Sequence, residues 1–241
     1  MTAAVRLTTV YDNYEHDPRL RAGWGFSCLV EAGDRKILFD TGADRMTEMF
    51  NIERLEIDLK QVGAIFLSHA HCDHVGGLTS VLEAASGPKV YLGLRSPLSL
   101  KERVRSGGGE PVAVKGLTQV FENVHSTGEM GGSIREQSMV VRTKKGLVVI
   151  TGCAHPAIVE IARRVKEQFK EKIHLMIGGF HLGGLSDAEI NTVISHLKGL
   201  NVERVAPCHC TGERARGLFA QAYGENYLAN GVGKVIQMGE S

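Results

Sequence analysis

The sequence lacks a long apolar run and lacks an excess of charge of one sign. Its 241 residues include 28 basic and 27 acidic side chains, which gives a formal net charge of +1. A bilayer-spanning helix needs about 20 consecutive apolar residues, and a nucleic-acid surface needs clustered basic residues. We therefore expect no membrane partner and no nucleic-acid partner, although a small basic pocket for one phosphate is compatible with this balance.

Cysteine is scarce and odd in number, and the N-terminus lacks a charged segment followed by an apolar one. An odd count without a secretory signal argues against a disulfide framework and predicts a cytoplasmic protein. Four of the five cysteines lie beside a histidine-bearing motif. The five are Cys28, Cys72, Cys153, Cys208 and Cys210.

No stretch has the composition of a linker, and no internal repeat is present. A chain of this length, 43% hydrophobic, can bury a sizeable core without disulfides or metal ions. We therefore predict a single domain over residues 1–241, in which a bound metal would serve chemistry and not folding.

Strand-like and helix-like segments alternate in two halves, each rich in β structure. This order predicts two sheets packed face to face with helices outside. The predicted strands are Val5–Val10, Phe26–Glu31, Lys36–Phe39, Val62–Leu67, Lys89–Leu92, Leu117–Phe121, Ser138–Arg142, Gly146–Thr151, Ile173–Ile177, Val202–Ala206 and Lys234–Met238. The predicted helices are Gly76–Ala85, Ala157–Lys170 after Pro156 at a first helical position, Ser186 as N-cap to about Leu197, and Glu213–Tyr223.

Three histidines and an aspartate fall within six residues directly after the apolar strand Val62–Leu67. As a loop, this segment can aim four side chains at one point, so that His69 and His71 would take one metal, and Asp73 and His74 a second. Imidazole and carboxylate suit zinc, and also iron, manganese or cobalt. The alternative is a solvated histidine-rich loop, which the buried strand before it and the Gly-Gly turn after it disfavour.

The pattern His-x-His-x-Asp-His resembles the signature of the metallo-β-lactamase superfamily. Upstream, Ile37–Gly42 is similar to that superfamily's strand ending in Asp-Thr-Gly. The resemblance implies an α/β fold, a four-layer αββα sandwich of the metallo-β-lactamase type. It also implies that Asp40 lies behind the metal loop and holds it by hydrogen bonds.

The resemblance implies further ligands at the ends of later strands. In many relatives one such strand ends in Thr-Gly-Asp, where this chain has Cys153, with His155 two residues on. Either side chain could bind metal, and we favour His155 with Cys153 second. His209 matches the last ligand of the superfamily. Strand alternation would point its neighbours Cys208 and Cys210 away from the metal.

A further histidine, His181, follows Gly178-Gly179 at a strand end. It could be a metal ligand, a general acid that protonates a leaving group, or a substrate contact. The alternative is a packed histidine with a hydrogen bond in the core. The remaining histidines, His16, His125, His174 and His196, lack such a setting, and we interpret them as ordinary surface or core residues.

Three segments together resemble one subgroup of the superfamily, the dihydropterin ribofuranosylaminobenzene phosphate synthase-like proteins. They are Thr-Gly-Cys-Ala-His-Pro, Gly-Gly-Phe-His-Leu and Pro-Cys-His-Cys-Thr-Gly. The subgroup's synthase joins a dihydropterin methyl carbon to an arylamine and expels diphosphate. Many proteins of this pattern are described only as metal-dependent hydrolases.

We therefore expect an enzyme with one or two divalent ions, zinc first and iron, manganese or magnesium as alternatives, and a small, phosphorylated substrate. The first hypothesis is a hydrolase that cleaves an ester or phosphoester with a metal-activated water, with Asp73 and His181 in catalysis. The second is the synthase-type transferase with a pterin substrate, and the third is a non-catalytic metal-bearing binding protein. A homo-oligomer is compatible with the sequence.

Overall fold

The computed structural model describes residues 4–239, and within this range thirteen strands form two sheets. The strands are β1 (Val5–Tyr11), β2 (Ser27–Ala32), β3 (Arg35–Phe39), β4 (Val62–Phe66), β5 (Lys89–Gly93), β6 (Glu110–Val114), β7 (Thr118–Phe121), β8 (Val124–Ser126), β9 (Met139–Thr143), β10 (Gly146–Thr151), β11 (Ile173–Gly179), β12 (Val202–Cys208) and β13 (Val235–Met238). The helices are α1 (Arg45–Arg54), α2 (Cys72–Val75), α3 (Leu78–Ala84), α4 (Leu98–Ser106), α5 (Ile158–Phe169), α6 (Asp187–Gly199) and α7 (Glu213–Tyr223).

The strand order explains where polar residues can converge. The first sheet has the order β13-β1-β2-β3-β4-β5-β6, and the second has the order β12-β11-β10-β9-β8-β7. Neighbouring strands from β3 to β6 are parallel, and so are those from β10 to β12. The carboxyl ends of parallel neighbours meet at one edge of a sheet, which is where such folds place their sites.

Successive strand residues point to opposite sides of a sheet, and the central strands bury residues on both sides. In β3, Ile37 and Phe39 pack between the sheets, whereas Leu38 packs against the helices α1, α3 and α4. In β10, Val148 and Ile150 pack between the sheets, and the alternate residues pack against α5, α6 and α7. The architecture is therefore the predicted four-layer αββα sandwich.

The single domain over residues 1–241 stays a prediction, and its first three and last two residues lie outside the described range. The core between the sheets joins the two halves of the chain. Among residues 4–239, no helix combines the length and the apolar character needed to cross a membrane.

Several sequence predictions of local structure were incomplete or wrong. The helices α1 and α4 and the strands β6 and β8 were not predicted. Helix α5 begins at Ile158 and not at Pro156, because the amide of Ala157 bonds to the carbonyl of Ala154 in a turn and Ala157 has a positive φ of 74°. The chain after β4 turns helical already at Cys72, four residues before the predicted start.

Helix α1 carries a fully buried carboxyl group, that of Glu48. The hydroxyl of Ser27 donates to its Oε1 over 2.8 Å, whereas its Oε2 has no partner within residues 4–239. Burial raises the pKa of Glu48 to about 8, and the nearby charge of Asp40 adds to the effect. The folded protein therefore keeps a proton on Glu48 at pH values where the unfolded chain has lost it.

We predict that Glu48→Gln flattens the pH dependence of stability. A carboxyl group whose pKa is raised on folding contributes stability that is fully present below its ordinary pKa of 4.5 and is lost as the pH rises through about 8. As the pH rises from 5 to 8, the free energy of unfolding of the glutamine variant should therefore increase relative to that of wild type, by up to about 4 kcal/mol. Urea unfolding of both proteins at equal metal loading measures this difference, and a constant difference across the range would contradict it.

Candidate metal centre

The segment after β4 is held from behind by the carboxylate that follows β3. The Asp40 Oδ1 accepts from the amide of Ser68 over 2.7 Å, and its Oδ2 accepts from the Ser68 hydroxyl over 2.6 Å. The same Oδ2 lies 2.7 Å from Nδ1 of His74. The predicted position of Asp40 behind the histidine loop is confirmed by these contacts, which orient Nε2 of His74 away from Asp40.

Four donor atoms from three loops converge at one point, and one of them is Nε2 of His74. Its Nε2 lies 3.2 Å from Sγ of Cys153 and 3.8 Å from Oδ2 of Asp73. The Nε2 of His209 lies 3.3 Å from the same sulfur and 3.4 Å from the same carboxylate oxygen. A tetrahedral zinc ion with bonds of about 2.0 to 2.3 Å separates its ligand atoms by roughly 3.3 to 3.8 Å. The four donors therefore fit a zinc-sized ion.

A second group of donors adjoins the first and shares its sulfur. It consists of His69, Cys153 and His155, whose ligand atoms lie within 4.8 Å of one another. The Nδ1 of His71 is 3.1 Å from Nε2 of His69. Within the described range, the buried Nε2 of His155 has no hydrogen-bond partner. An unpartnered buried nitrogen among imidazoles is costly without a ligand, which supports a second ion position here.

A third group links Cys153 to His181 and Cys210, again within 4.8 Å. The expectation that Cys210 points away from the site was wrong. Strand alternation ends with Cys208 at the last residue of β12, and the chain then enters a 3₁₀ turn over His209–Thr211. The turn brings Sγ of Cys210 to 3.5 Å from the carbonyl oxygen of Cys153, whereas Cys208 packs between the sheets and belongs to none of the donor groups, which agrees with its predicted orientation.

A buried carboxylate that the sequence analysis missed holds the loop after β10. The Oε1 of Glu136 accepts from the amides of Gly152, Cys153 and Ala154 at 2.9 to 3.0 Å, and its Oε2 accepts from the amide of His155 at 2.9 Å. Glu136 is 1% exposed. Four hydrogen bonds to consecutive amides fix the backbone from which the Cys153 and His155 side chains project.

A third carboxylate holds the turn after β12. The Oδ1 of Asp12 accepts from the amide of His209 over 3.2 Å, and Oδ1 of Asn13 lies 3.0 Å from Nδ1 of His209. Asp12 and His209 are both fully buried. The bond at Nδ1 leaves Nε2 of His209 directed at Asp73 and Cys153.

The electrostatic environment gives three residues of the site the protonation states of metal ligands, whereas the pKa of His74 is raised by its buried carboxylate partner against the effect of burial. Burial alone would raise the pKa of Asp73, but the hydrogen bond to His209 and the charge of His74 lower it below its usual range. Burial and the neighbouring imidazoles lower the pKa of His69 far below its ordinary value and that of His155 to about 4. Neutral imidazoles and an ionised carboxylate are the forms that bind divalent ions.

Hydrogen bonding within the third donor group raises the pKa values of His181 and Cys153 and lowers that of Cys210. The contact with Cys210 raises the pKa of His181, against the opposing effect of burial. Hydrogen bonds with Cys153 and His181 lower the pKa of the Cys210 thiol to about 4, although burial opposes them. The ring of His181 also lies 4.6 Å from that of His155, centroid to centroid. His181 is thus an exposed imidazole that retains its proton more readily than a free one.

All residues that the sequence predicted for the site lie in this one region: His69, His71, Asp73, His74, Cys153, His155, His181 and His209. Their roles as ligands or catalysts stay predictions. The structure adds Glu136, which had no sequence signal, Cys210, for which strand alternation indicated the wrong side, and Trp24, whose indole contacts Asp73. Of the other histidines, His125 packs on Phe169 and His174 pairs with Glu203, so neither joins the site.

A cavity of about 350 Å³ adjoins the imidazoles on the side of His71. Two arginines that face it, Arg95 and Arg135, make it basic, and Ser96 and Ser133 add hydroxyl groups. The acidic side chain in its lining, Glu129, is engaged with the amide of Arg95 over 2.9 Å. A larger cavity of about 860 Å³ lies elsewhere, over α1 and α3, and has no histidine or cysteine in its lining.

Comparison with known proteins agrees with this geometry. Residues 22–209 match the family model described as the metallo-beta-lactamase superfamily. The chain is 27% identical to a curated relative from Methanocaldococcus jannaschii, over 97% of this chain and 96% of the relative. That relative is named 7,8-dihydropterin-6-methyl-4-(beta-D-ribofuranosyl)-aminobenzene-5'-phosphate synthase.

Two solved structures have similar folds. One is Tm1679, described as a metal-dependent hydrolase of the beta-lactamase superfamily, with 30% identity and a TM-score of 0.83 over 98% of this chain and 100% of that chain. The other is the metallo-beta-lactamase fold protein YhfI from Bacillus subtilis, with 14% identity and a TM-score of 0.71 over 98% and 100% of the two chains. The latter likeness concerns the fold alone.

We predict that Cys153 supplies the thiolate ligand of the centre, because its sulfur belongs to all three donor groups. The contact with Cys210 and burial raise the pKa of the Cys153 thiol, but coordination to a divalent ion removes the proton of a thiol. In protein loaded with cobalt, a thiolate ligand gives a sulfur-to-metal charge-transfer absorption in the near ultraviolet, and Cys153→Asp should abolish this absorption while cobalt remains bound to the carboxylate. The matched variant Cys210→Ser should keep the absorption. Its loss in Cys210→Ser and persistence in Cys153→Asp would show that the other sulfur is the ligand.

Proposed function

Because this chain belongs to the metallo-β-lactamase superfamily, we propose that it is a metal-dependent hydrolase that cleaves a phosphoester or other ester of a small molecule. The observation that carries the proposal is the convergence of Asp73, His74, Cys153 and His209 at separations suited to a zinc-sized ion, beside a second set of donors. A divalent ion held there would neutralise charge on a leaving oxygen and lower the pKa of bound water.

The protonation states of the chain's own residues suit some of them to proton donation and others to metal binding. His181 is exposed, and its raised pKa favours the protonated ring, so its imidazole N–H would donate a proton to the leaving oxygen. Asp73 has a lowered pKa, which suits a ligand better than a proton acceptor. The hydrogen bond that Nδ1 of His74 donates to Oδ2 of Asp40 would hold the His74 ring in one orientation.

The basic cavity beside His71 supports a phosphorylated substrate. Arg95 and Arg135 present guanidinium groups, which bind phosphate through paired N–H donors. Ser96 and Ser133 could donate further hydrogen bonds from the same walls. A substrate phosphate bound here would place the adjoining part of the molecule over the imidazoles.

A second candidate is the synthase-type transferase, which the likeness to the Methanocaldococcus jannaschii synthase over nearly the whole chain favours. In this reaction an arylamine would displace diphosphate from a dihydropterin methyl carbon. The same cluster of donors would stabilise the departing diphosphate, and the cavity with Arg95 and Arg135 would hold the ribosyl phosphate.

The proposal predicts that activity depends on bound metal and on His71. Purified protein, with its metal content measured, should hydrolyse members of a panel of phosphoesters and carboxylic esters, and removal of the metal with a chelator should abolish turnover until zinc is restored. His71→Ala should lose bound metal and activity together while circular dichroism shows a folded chain. Turnover that survives complete metal removal would refute the hydrolase.

One further assay in the same experiment separates the two candidates. A dihydropterin methyl diphosphate and an arylamine ribosyl phosphate are supplied together, and the products are separated by chromatography. A coupled product supports the synthase, and cleavage without coupling supports the hydrolase. Fully metal-loaded protein that is inactive in every assay would leave the non-catalytic binding protein.

We predict that Arg95→Ala and Arg135→Ala each raise KM for a phosphorylated substrate about tenfold, because each removes a charge-assisted hydrogen bond. The rate constant kcat should change little, since neither arginine contacts the donor cluster directly. Arg105→Ala, an exposed change on α4, is the matched control and should leave KM unaltered. Equal KM values for all three variants would place the phosphate elsewhere.

A further inference from the structure

The chain has one tryptophan, and it stands at the metal centre. Trp24 is 60% exposed, and its indole N–H donates to Oδ2 of Asp73 over 3.1 Å. The neighbouring backbone is tied to the same loop, because the amide of Phe26 donates to the carbonyl of Asp73 over 3.2 Å. A Cβ at Gly25 would lie 2.7 Å from that carbonyl oxygen, so only glycine allows this approach.

Part of the indole surface covers a metal-donor imidazole. The ring of Trp24 lies 5.1 Å from that of His209, centroid to centroid, at an interplanar angle of 56°. His209 itself is fully buried. The rest of the indole remains exposed although burial of an aromatic ring is strongly favourable, and a fixed, exposed aromatic at a site is typical of a ligand contact.

The position of Trp24 relative to the basic cavity defines a substrate shape. Ring contacts run from Trp24 to His209, then to His74, to His69 and to His71. The cavity with Arg95 and Arg135 adjoins His71, so the indole and the arginines lie at opposite ends of this series of imidazoles. A molecule that reaches both ends must cross the donor cluster.

We propose that Trp24 is the stacking platform for a planar aromatic or heteroaromatic ring of the substrate, and this proposal rests on the proposed function. The substrate class is then a flat ring on one side of the reacting bond and an anionic group on the other. Stacking on the exposed indole face supplies the affinity for the ring, and the indole hydrogen bond to Asp73 keeps the platform in place.

Binding of two matched phosphonates tests the proposal without turnover. Phenylphosphonate and cyclohexylphosphonate carry the same charge and have similar volume, but only the first has an aromatic face. In metal-loaded wild-type protein we expect phenylphosphonate to bind roughly two- to tenfold more tightly, the range of an aromatic pair, and to change the fluorescence of the sole tryptophan. Equal affinity for the two phosphonates would overturn the proposal.

Two variants separate stacking from the hydrogen bond. Trp24→Phe and Trp24→Leu both lose the indole N–H, but only phenylalanine keeps an aromatic face. Calorimetric titration, on protein with measured metal content, should show the aromatic preference retained in Trp24→Phe and lost in Trp24→Leu. The same ratio in both variants would mean that Trp24 only shields His209, which overturns the proposal.

The outcome is independent of the activity assays. An aromatic preference that disappears in Trp24→Leu supports the platform even where no phosphoester is cleaved. Hydrolysis without any aromatic preference supports the proposed function and overturns the role of Trp24.

Discussion

Three buried carboxylates determine where the donor atoms of this protein lie. Asp12, Asp40 and Glu136 are each no more than 1% exposed. Each accepts hydrogen bonds from the backbone of a different donor-bearing loop: the turn at His209, the segment at Ser68, and the loop with Cys153. A buried polar group without a hydrogen-bond partner costs free energy, so each carboxyl group and the loop that it contacts stabilise one another in this arrangement. The layered core excludes water from these hydrogen bonds, which strengthens them because the local dielectric constant is low.

The sequence predicted those parts of the fold and site that depend on local patterns. Alternating or continuous apolar runs located most strands, and Ser186 with Glu189 forms the predicted capping box at α6. The histidine cluster after β4 was predicted from its density directly after an apolar strand, whereas the position of Asp40 after β3 was predicted from the resemblance to the superfamily. Parallel neighbours then bring these strand ends together at one edge.

The remaining features depend on contacts between distant segments, which local patterns do not reveal. Glu136 lies in an irregular loop, and its importance comes from four amides about 16 to 19 residues further along the chain. Cys210 follows the strand by two residues, so alternation gave the wrong side once the chain entered a 3₁₀ turn. Helix α1 was missed because its sequence has few regularly spaced apolar residues, and its buried face includes the polar side chains of Glu48 and Asn51.

The sulfur of Cys153 belongs to all three donor groups, and this shared position has a consequence for selectivity among ions. A soft sulfur donor in the middle of the cluster weakens the binding of hard ions such as magnesium, which prefer oxygen ligands, and strengthens the binding of borderline ions such as zinc and ferrous iron. Because the atom is common to every group, that bias applies to the whole cluster at once. The softness of one sulfur atom would thus bias the whole cluster toward the same group of divalent ions.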